Sequence, residues 1–128
     1  MAADILCIDD ENGVVELVEL IMQREGMTVR GASSGPEGLA LMRQNRPQVV
    51  LLDIMMPDMD GWEVFKEMKA DENLEQIPVI IITARDSTFE EIIARERAGV
   101  DDYITKPFTP ERLRKSIKKV LPSPNDEA

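Results

Sequence analysis

Acidic residues stand in two places where an apolar run of this sequence stops. In CIDDE, residues 7–11, the run that begins at Ile5 ends on Asp9 and Asp10, and in LLDIMMPDMDG, residues 51–61, Leu51 and Leu52 lead directly into Asp53. Carboxylates at close quarters raise one another's pKa by mutual repulsion unless a cation sits among them. A hard divalent ion meets that need: magnesium takes oxygen ligands octahedrally, keeps several waters, and commonly uses one or two carboxylates together with a phosphate oxygen. Two further apolar runs end on hydroxyls and an ammonium, at Thr83 in IIITA and at Thr105 and Lys106 in DYITKPF. A lysine is a counter-charge for an incoming anion, and a threonine hydroxyl can donate to one of its oxygens. Together these groups suit phosphoryl transfer, in which positioning and charge neutralisation supply most of the catalysis. A carboxylate can also be the nucleophile and form an acyl phosphate. Asp53 is the best placed for that role, with Asp9 and Asp10 to hold the metal. The chain has no histidine, so no imidazole is at hand to activate water against such an adduct, and its hydrolysis is expected to be slow unaided. If phosphoryl groups arrive on a nitrogen, that nitrogen belongs to a partner.

The elements that must position these residues are legible in the apolar pattern. Residues 4–9 (DILCID), 49–53 (VVLLD), 78–83 (PVIIIT) and 102–105 (DYIT) read as strands buried on both faces, and 28–32 (TVRGA) reads as an edge strand carrying Arg30. Between them lie amphipathic helices. Val14, Leu17, Val18 and Ile21 share one helix face, with Gly26 as a C-terminal stop; a second helix runs over about 36–45 with Leu39 and Met42 and stops before Pro47. Val64, Phe65 and Met68 mark a third after Gly61. Phe89, Ile92 and Ile93 mark a weaker fourth before Gly99. Leu113, Ile117, Val120 and Leu121 mark the last, opened by Thr109 and Pro110 as cap and first-turn residue. Strand followed by helix, five times over, predicts an α/β fold: an open, doubly wound parallel sheet of five strands with right-handed crossovers. The carboxyl ends of its strands share one edge, where open α/β sheets bind ligands.

A chain of 128 residues with 43% hydrophobic content fits one globular domain, expected over 1–121, with 122–128 (PSPNDEA) as a flexible tail or linker. No apolar stretch approaches the roughly 20 residues of a membrane span, and the N-terminus lacks the basic start of a signal peptide, so a cytoplasmic location is expected. The single cysteine, Cys7, excludes an internal disulfide and, without histidine, a conventional zinc site. Net charge −10 disfavours direct binding to nucleic acid or anionic membrane. The basic residues Arg112, Arg114, Lys115, Lys118 and Lys119 of the last helix read as a solvated face rather than a nucleic-acid stripe.

Four motifs, CIDDE, LLDIMMPDMDG, IIITA and DDYITKPF, each at an expected strand end and spread over residues 5–108, resemble in type and order the signature of the receiver domains of two-component response regulators. The resemblance implies the flavodoxin-like (βα)5 fold of the chemotaxis regulators, with strand order 2-1-3-4-5. It implies that Asp53 is the phosphoacceptor, that Asp10, Asp9, Asp53 and the backbone carbonyl of Met55 hold Mg2+, and that Thr83, the amide of Ala84 and Lys106 hold phosphoryl oxygens. It further implies a cis bond before Pro107 and a switch in which Thr83 moves toward the phosphoryl group and Tyr103 turns inward. In the family, side chains at the positions of Met55 and Arg85 tune adduct lifetime; neither positions water well, so a long-lived adduct is expected. The implied donor is a histidine kinase or histidine phosphotransfer protein. The implied output surface is residues 86–121, meeting a downstream effector or a second copy of the chain.

Plainer roles compete for some of these residues. Acidic pairs are usually solvated surface, Thr83 is also a good strand former, and Tyr103 alone reads as half-buried packing. Asp58 and Asp60 read as turn and helix-cap residues and are left out of the site. Cys7 reads as core, and Trp62 as a partly exposed reporter near the strand-end edge. Two rival functions share the aspartate or the topology. A magnesium-dependent phosphatase of the haloacid dehalogenase type also uses an aspartate after a strand, but carries a second acid two positions on, where this chain has Met55. A flavin-binding module would need a phosphate loop after the first strand, where Asp10 and Glu11 would repel the anion.

Overall fold

The computed structural model describes residues 4–84 and 99–121. Its elements, in chain order, are β1 (Asp4–Ile8), α1 (Asn12–Gln23), β2 (Thr28–Ala32), α2 (Gly35–Gln44), β3 (Val49–Asp53), α3 (Gly61–Ala70), β4 (Val79–Ala84), β5 (Asp102–Lys106) and α4 (Pro110–Val120). The strands form one sheet in the order β2-β1-β3-β4-β5, and each neighbouring pair is parallel. This is the expected topology, with β4 displaced by one residue from its expected range and β5 extended to Lys106. The weak fourth helix around Phe89, Ile92 and Ile93 lies outside the described residues, as do Arg85 and the tail from residue 122.

Side chains alternate across a strand, and in β1, β3 and β4 both sets are apolar, which is why these strands read as continuous hydrophobic runs; β5, expected to be buried on both faces, is an edge strand in which Ile104 alone is buried. Leu6 and Ile8 of β1, Val50 and Leu52 of β3, and Val79 and Ile81 of β4 pack with Leu39 and Met42 of α2 and Val64, Phe65 and Met68 of α3. Ile5, Cys7, Val49, Leu51, Ile80, Ile82 and Ile104 pack on the other face with Val18, Ile21 and Met22 of α1 and Leu113 and Ile117 of α4. Cys7 is fully buried, as expected for a core residue, and burial pushes its thiol up to about 12. One expectation for α1 is corrected. Its buried stripe is Val18, Ile21 and Met22, whereas Leu17 is 38% exposed; with about 100° per residue, a neighbour of Val18 falls at the margin of the face that meets the sheet.

Local chemistry explains where the helices begin. Ser34 caps α2, Thr109 caps α4 with Pro110 following, and Asp60 caps α3 in a reciprocal box with Glu63. Asp58 adopts a positive φ of 66° in the turn before it, a conformation that Asp tolerates better than most residues. The two acids set aside from the site are thus turn and cap. β2 is an edge strand, and Arg30 is clamped by Asp4 through Nη2–Oδ2 and Nε–Oδ1 contacts of 2.8 and 3.2 Å.

At the other edge of the sheet, β5 and α4 are joined through Asp102. The fully buried Ser116 donates its hydroxyl to Asp102 Oδ2 at 2.6 Å, and Arg112 and Lys119 each approach that carboxylate to 3.6 Å. The basic face of α4 is therefore partly tied down within the domain, and Arg114 and Lys118 likewise face Glu25. Burial alone would raise the Asp102 pKa, but the Ser116 hydroxyl, the Tyr103 N–H, Arg112 and Lys119 outweigh it and the pKa is lowered. A carboxylate with a lowered folded pKa stabilises the fold above its unfolded value of about 4, and the contribution is lost as pH falls through the folded value. Ser116→Ala is accordingly expected to lower stability by about 1–3 kcal/mol near neutral pH. In urea unfolding, the gap between variant and wild type should narrow below about pH 4 as the carboxyl takes up its proton.

Candidate functional site

β1 and β3 are adjacent; β3 ends on Asp53 and β1 is followed directly by Asp9, both with the side-chain parity of the α1/α4 face. Asp9 follows Cys7 by two residues and Asp53 follows Leu51 by two, so both carboxylates leave the sheet on the same side. Both are buried, at 1% and 2% exposure. Asp10, on the opposite parity, is exposed. One carboxylate oxygen from each of Asp9, Asp10 and Asp53 lies within 4.8 Å of the others.

Lys106 reaches this cluster from the end of β5, with the parity of the core residue Ile104. Its Nζ is 2.9 Å from Asp9 Oδ2, 3.4 Å from Asp53 Oδ2 and 3.7 Å from Glu11 Oε1. The remaining carboxylate oxygens of the buried acids are held by backbone: Asp9 Oδ1 accepts from the Glu11 amide and Asp53 Oδ1 from the Met55 amide, both at 2.9 Å. Burial dominates the titration of Asp53 and, with the Asp9 charge, outweighs the Met55 amide and Lys106, so its pKa rises to about 6. For Lys106, burial works to lower the pKa, but the close contact with Asp9 and the charges of Asp53, Asp9 and Glu11 prevail and raise it. The ammonium thus stays charged and serves as the cation of a negative site.

Other expected site residues fall nearby in register. Thr83 is buried and pairs with Thr105, one step beyond Ile82, the partner of Asp53; Ala84 pairs with Lys106. Thr83 has the opposite strand parity from Asp53 and Lys106. The Lys106–Pro107 bond is cis. Met55 presents its side chain to solvent at 55% exposure, and Tyr103, at 41%, is exposed while Arg112 Nη2 donates to its carbonyl at 2.9 Å. Trp62 is half-buried against the α2/α3 core, edge-on to Phe65 with ring centroids 6.2 Å apart.

Two positions lie inside the motifs but were not assigned to the site. A Cβ on Gly61 would lie 2.5 Å from the Asp53 carbonyl oxygen and 2.6 Å from Ile54 Cα, so the start of α3 can approach the end of β3 only through a glycine. Its place directly after the capping acid Asp60 was the available signal. Glu11 is the other, brought to Lys106 by tertiary structure alone.

The donor set fits a hard divalent ion. It offers oxygens only, converging from two buried strand ends and one exposed acid, and its present counter-charge is a lysine that a metal could relieve. Magnesium would be held by Asp9, Asp10 and Asp53. With the metal absent, Lys106 carries the neutralisation of Asp9 and Asp53. Lys106→Ala is expected to destabilise the protein by about 1–3 kcal/mol in the presence of a chelator. Thermal unfolding should show that deficit shrinking when Mg2+ is added, because an ion that binds only the folded state stabilises it.

A family model described as the response regulator receiver domain matches residues 5–118. The alkaline phosphatase synthesis transcriptional regulatory protein PhoP of Bacillus subtilis (strain 168) is 36% identical over 121 residues, covering 94% of this chain and 49% of that protein. Transcriptional regulatory protein AfsQ1 of Streptomyces coelicolor is 36% identical over 117 residues, 91% of this chain and 50% of that protein. The chain thus spans about half the length of these curated relatives. Among solved structures, the chemotaxis protein CheY4 of Vibrio cholerae superposes with a TM-score of 0.84 at 29% identity, covering 94% of this chain and all of that one.

Proposed function

The chain belongs to the response regulator receiver family, and we propose that Asp53 is its phosphoacceptor, charged with Mg2+ bound by a histidine kinase or a histidine phosphotransfer protein. The observation that carries this reading is the juxtaposition of the buried Asp53 with Asp9 and Asp10, their oxygens within 4.8 Å, and with the Lys106 ammonium at 3.4 Å. The domain is a signalling receiver and not a metabolic enzyme. Neither rival gains support: the matching family is that of receivers, and the position where the dehalogenase-type phosphatases carry their second acid is the exposed Met55.

In the proposed step a carboxylate oxygen of Asp53 forms a bond to phosphorus as the bond to the donor's nitrogen breaks, and the electron pair of that bond leaves with the donor. Above its pKa of about 6 the Asp53 carboxylate is largely ionised and competent as nucleophile. The Met55 amide holds Oδ1 and so sets the rotation of the carboxylate. Lys106, now shared among the acids, would turn to a phosphoryl oxygen, and Thr83 and the Ala84 amide would hold others. Magnesium held by these acids would supply charge neutralisation for the transferring phosphoryl group. Binding by Asp9, Asp10 and the Met55 carbonyl, beside Asp53, is the ligand set we assign.

The switch we propose couples Thr83 of β4 to Tyr103 of β5, which lies two residues before Thr105, the register partner of Thr83. Tyr103 is now 41% exposed, and an inward turn of its ring on phosphorylation would change the face formed by β5 and α4. That face, with residues 86–98, is the proposed meeting point for a downstream effector or a second copy of the chain. The exposed Met55, and Arg85, which lies outside the described residues, would give the adduct a long life, neither being suited to hold an attacking water.

Because the chemistry is assigned to this chain's own residues, a small phosphodonor should suffice. Incubation with acetyl phosphate and Mg2+ is expected to add the mass of one phosphoryl group to the intact protein. Asp53→Asn and metal chelation should each abolish the gain; a gain that survives the asparagine variant would rule out Asp53 as acceptor.

A further inference from the structure

Glu11 occupies the N-cap of α1, yet its side chain makes no capping hydrogen bond. That position favours Ser, Thr, Asp or Asn, whose short side chains reach the first free amides and contribute about 1 kcal/mol. Here the carboxylate lies instead 3.7 Å from Lys106 Nζ, on a side chain that is 65% exposed. The Glu11 amide donates to Asp9 Oδ1 at 2.9 Å, so its backbone is anchored to the buried acid while its largely exposed charge lies beside the ammonium. Where a residue departs from its local structural rule and its side chain serves a distant group, the reason is commonly functional.

Given the phosphoacceptor role proposed for Asp53, on which this inference rests, we infer that Glu11 is an electrostatic gate that selects phosphodonors by charge. Lys106 is divided among Asp9, Asp53 and Glu11. A divalent ion held by the three clustered aspartates would neutralise Asp9 and Asp53, but Glu11 is not one of the acids whose oxygens converge there. Its charge therefore persists in the loaded site, next to the ammonium that a phosphoryl oxygen must reach. A small, highly charged phosphoanion from solution meets this repulsion with nothing to offset it. A phosphoryl group presented by a docked protein has the contact energy of an interface behind it. Glu11 thus positions Lys106 and biases the site toward macromolecular donors and against free phosphoanions.

The test compares wild type, Glu11→Gln and Glu11→Asp at saturating Mg2+, following intact mass over time. The donors are acetyl phosphate and the less negatively charged phosphoramidate, each at subsaturating concentration and at low and high ionic strength. Two unit charges about 4 Å apart in a largely aqueous setting interact by about 1 kcal/mol, which corresponds to about a five-fold effect. Glu11→Gln should react about five-fold faster than wild type with acetyl phosphate at low salt. The advantage should be smaller with phosphoramidate and should fade at high salt as the charge is screened. Glu11→Asp, which keeps the charge, should fall between the two. A merely structural role would alter both donors alike at both salts, and that result would overturn the gate, as would a slower Glu11→Gln or one equal to wild type. Failure of the wild type to take up phosphoryl from either donor would instead refute the Asp53 reading, and the gate with it.

Discussion

Two carboxylates buried side by side require a cation, and much of this structure can be understood as the means of supplying one. Asp9 and Asp53 sit at the ends of adjacent strands with almost no access to water. Each gives one oxygen to a backbone amide and the other to Lys106. Isolated carboxylates could not remain ionised there. Burial, with the Asp9 charge, still raises the Asp53 pKa to about 6, and the three clustered carboxylates share a single ammonium. An under-neutralised pocket of oxygens is receptive to a divalent metal and, once the metal is in place, to an anionic group that the lysine can also hold.

The fold makes that pocket almost inevitable once the strands are in register. Parallel pairing carries every carboxyl end to one edge, and strand alternation decides which end residues face the same side. Asp9, Asp53 and Lys106 share the parity of Cys7, Leu51 and Ile104, all in the core under α1 and α4. The same core that fixes the sheet therefore fixes the distances in the site. Gly61 completes the arrangement by letting α3 begin against the backbone of Asp53 and Ile54. Asp102, bound to Ser116 and faced by Arg112 and Lys119, ties β5 and hence Lys106 to α4.

The features legible in the sequence were those that depend on local pattern. Continuous apolar runs ending in DD, D, T and TK marked the strands and their chemistry, and Thr109–Pro110 and Asp60–Gly61 marked helix starts. Parallel topology then placed the strand ends together without any knowledge of contacts. Leu17 was misread because helical spacing identifies an apolar face but not where its margin meets the sheet. The reach of Glu11 to Lys106 spans most of the chain, and nothing in the local sequence around either residue signals it. The exposure of Tyr103 was equally hidden, since a rotamer is set by neighbours the sequence pattern does not name.

Receiver chemistry at this site turns on which carboxylate receives the phosphoryl group. Asp9, Asp10 and Asp53 lie close enough that a mass gain alone does not separate them. The most direct measurement is to reduce the freshly phosphorylated protein with borohydride, which converts a phosphorylated aspartate to homoserine, and to locate the altered residue by tandem mass spectrometry of its peptides. Homoserine at position 53, absent when the donor is omitted, is the predicted result. Homoserine at position 9 or 10, or conversion at none of the three, would contradict the account.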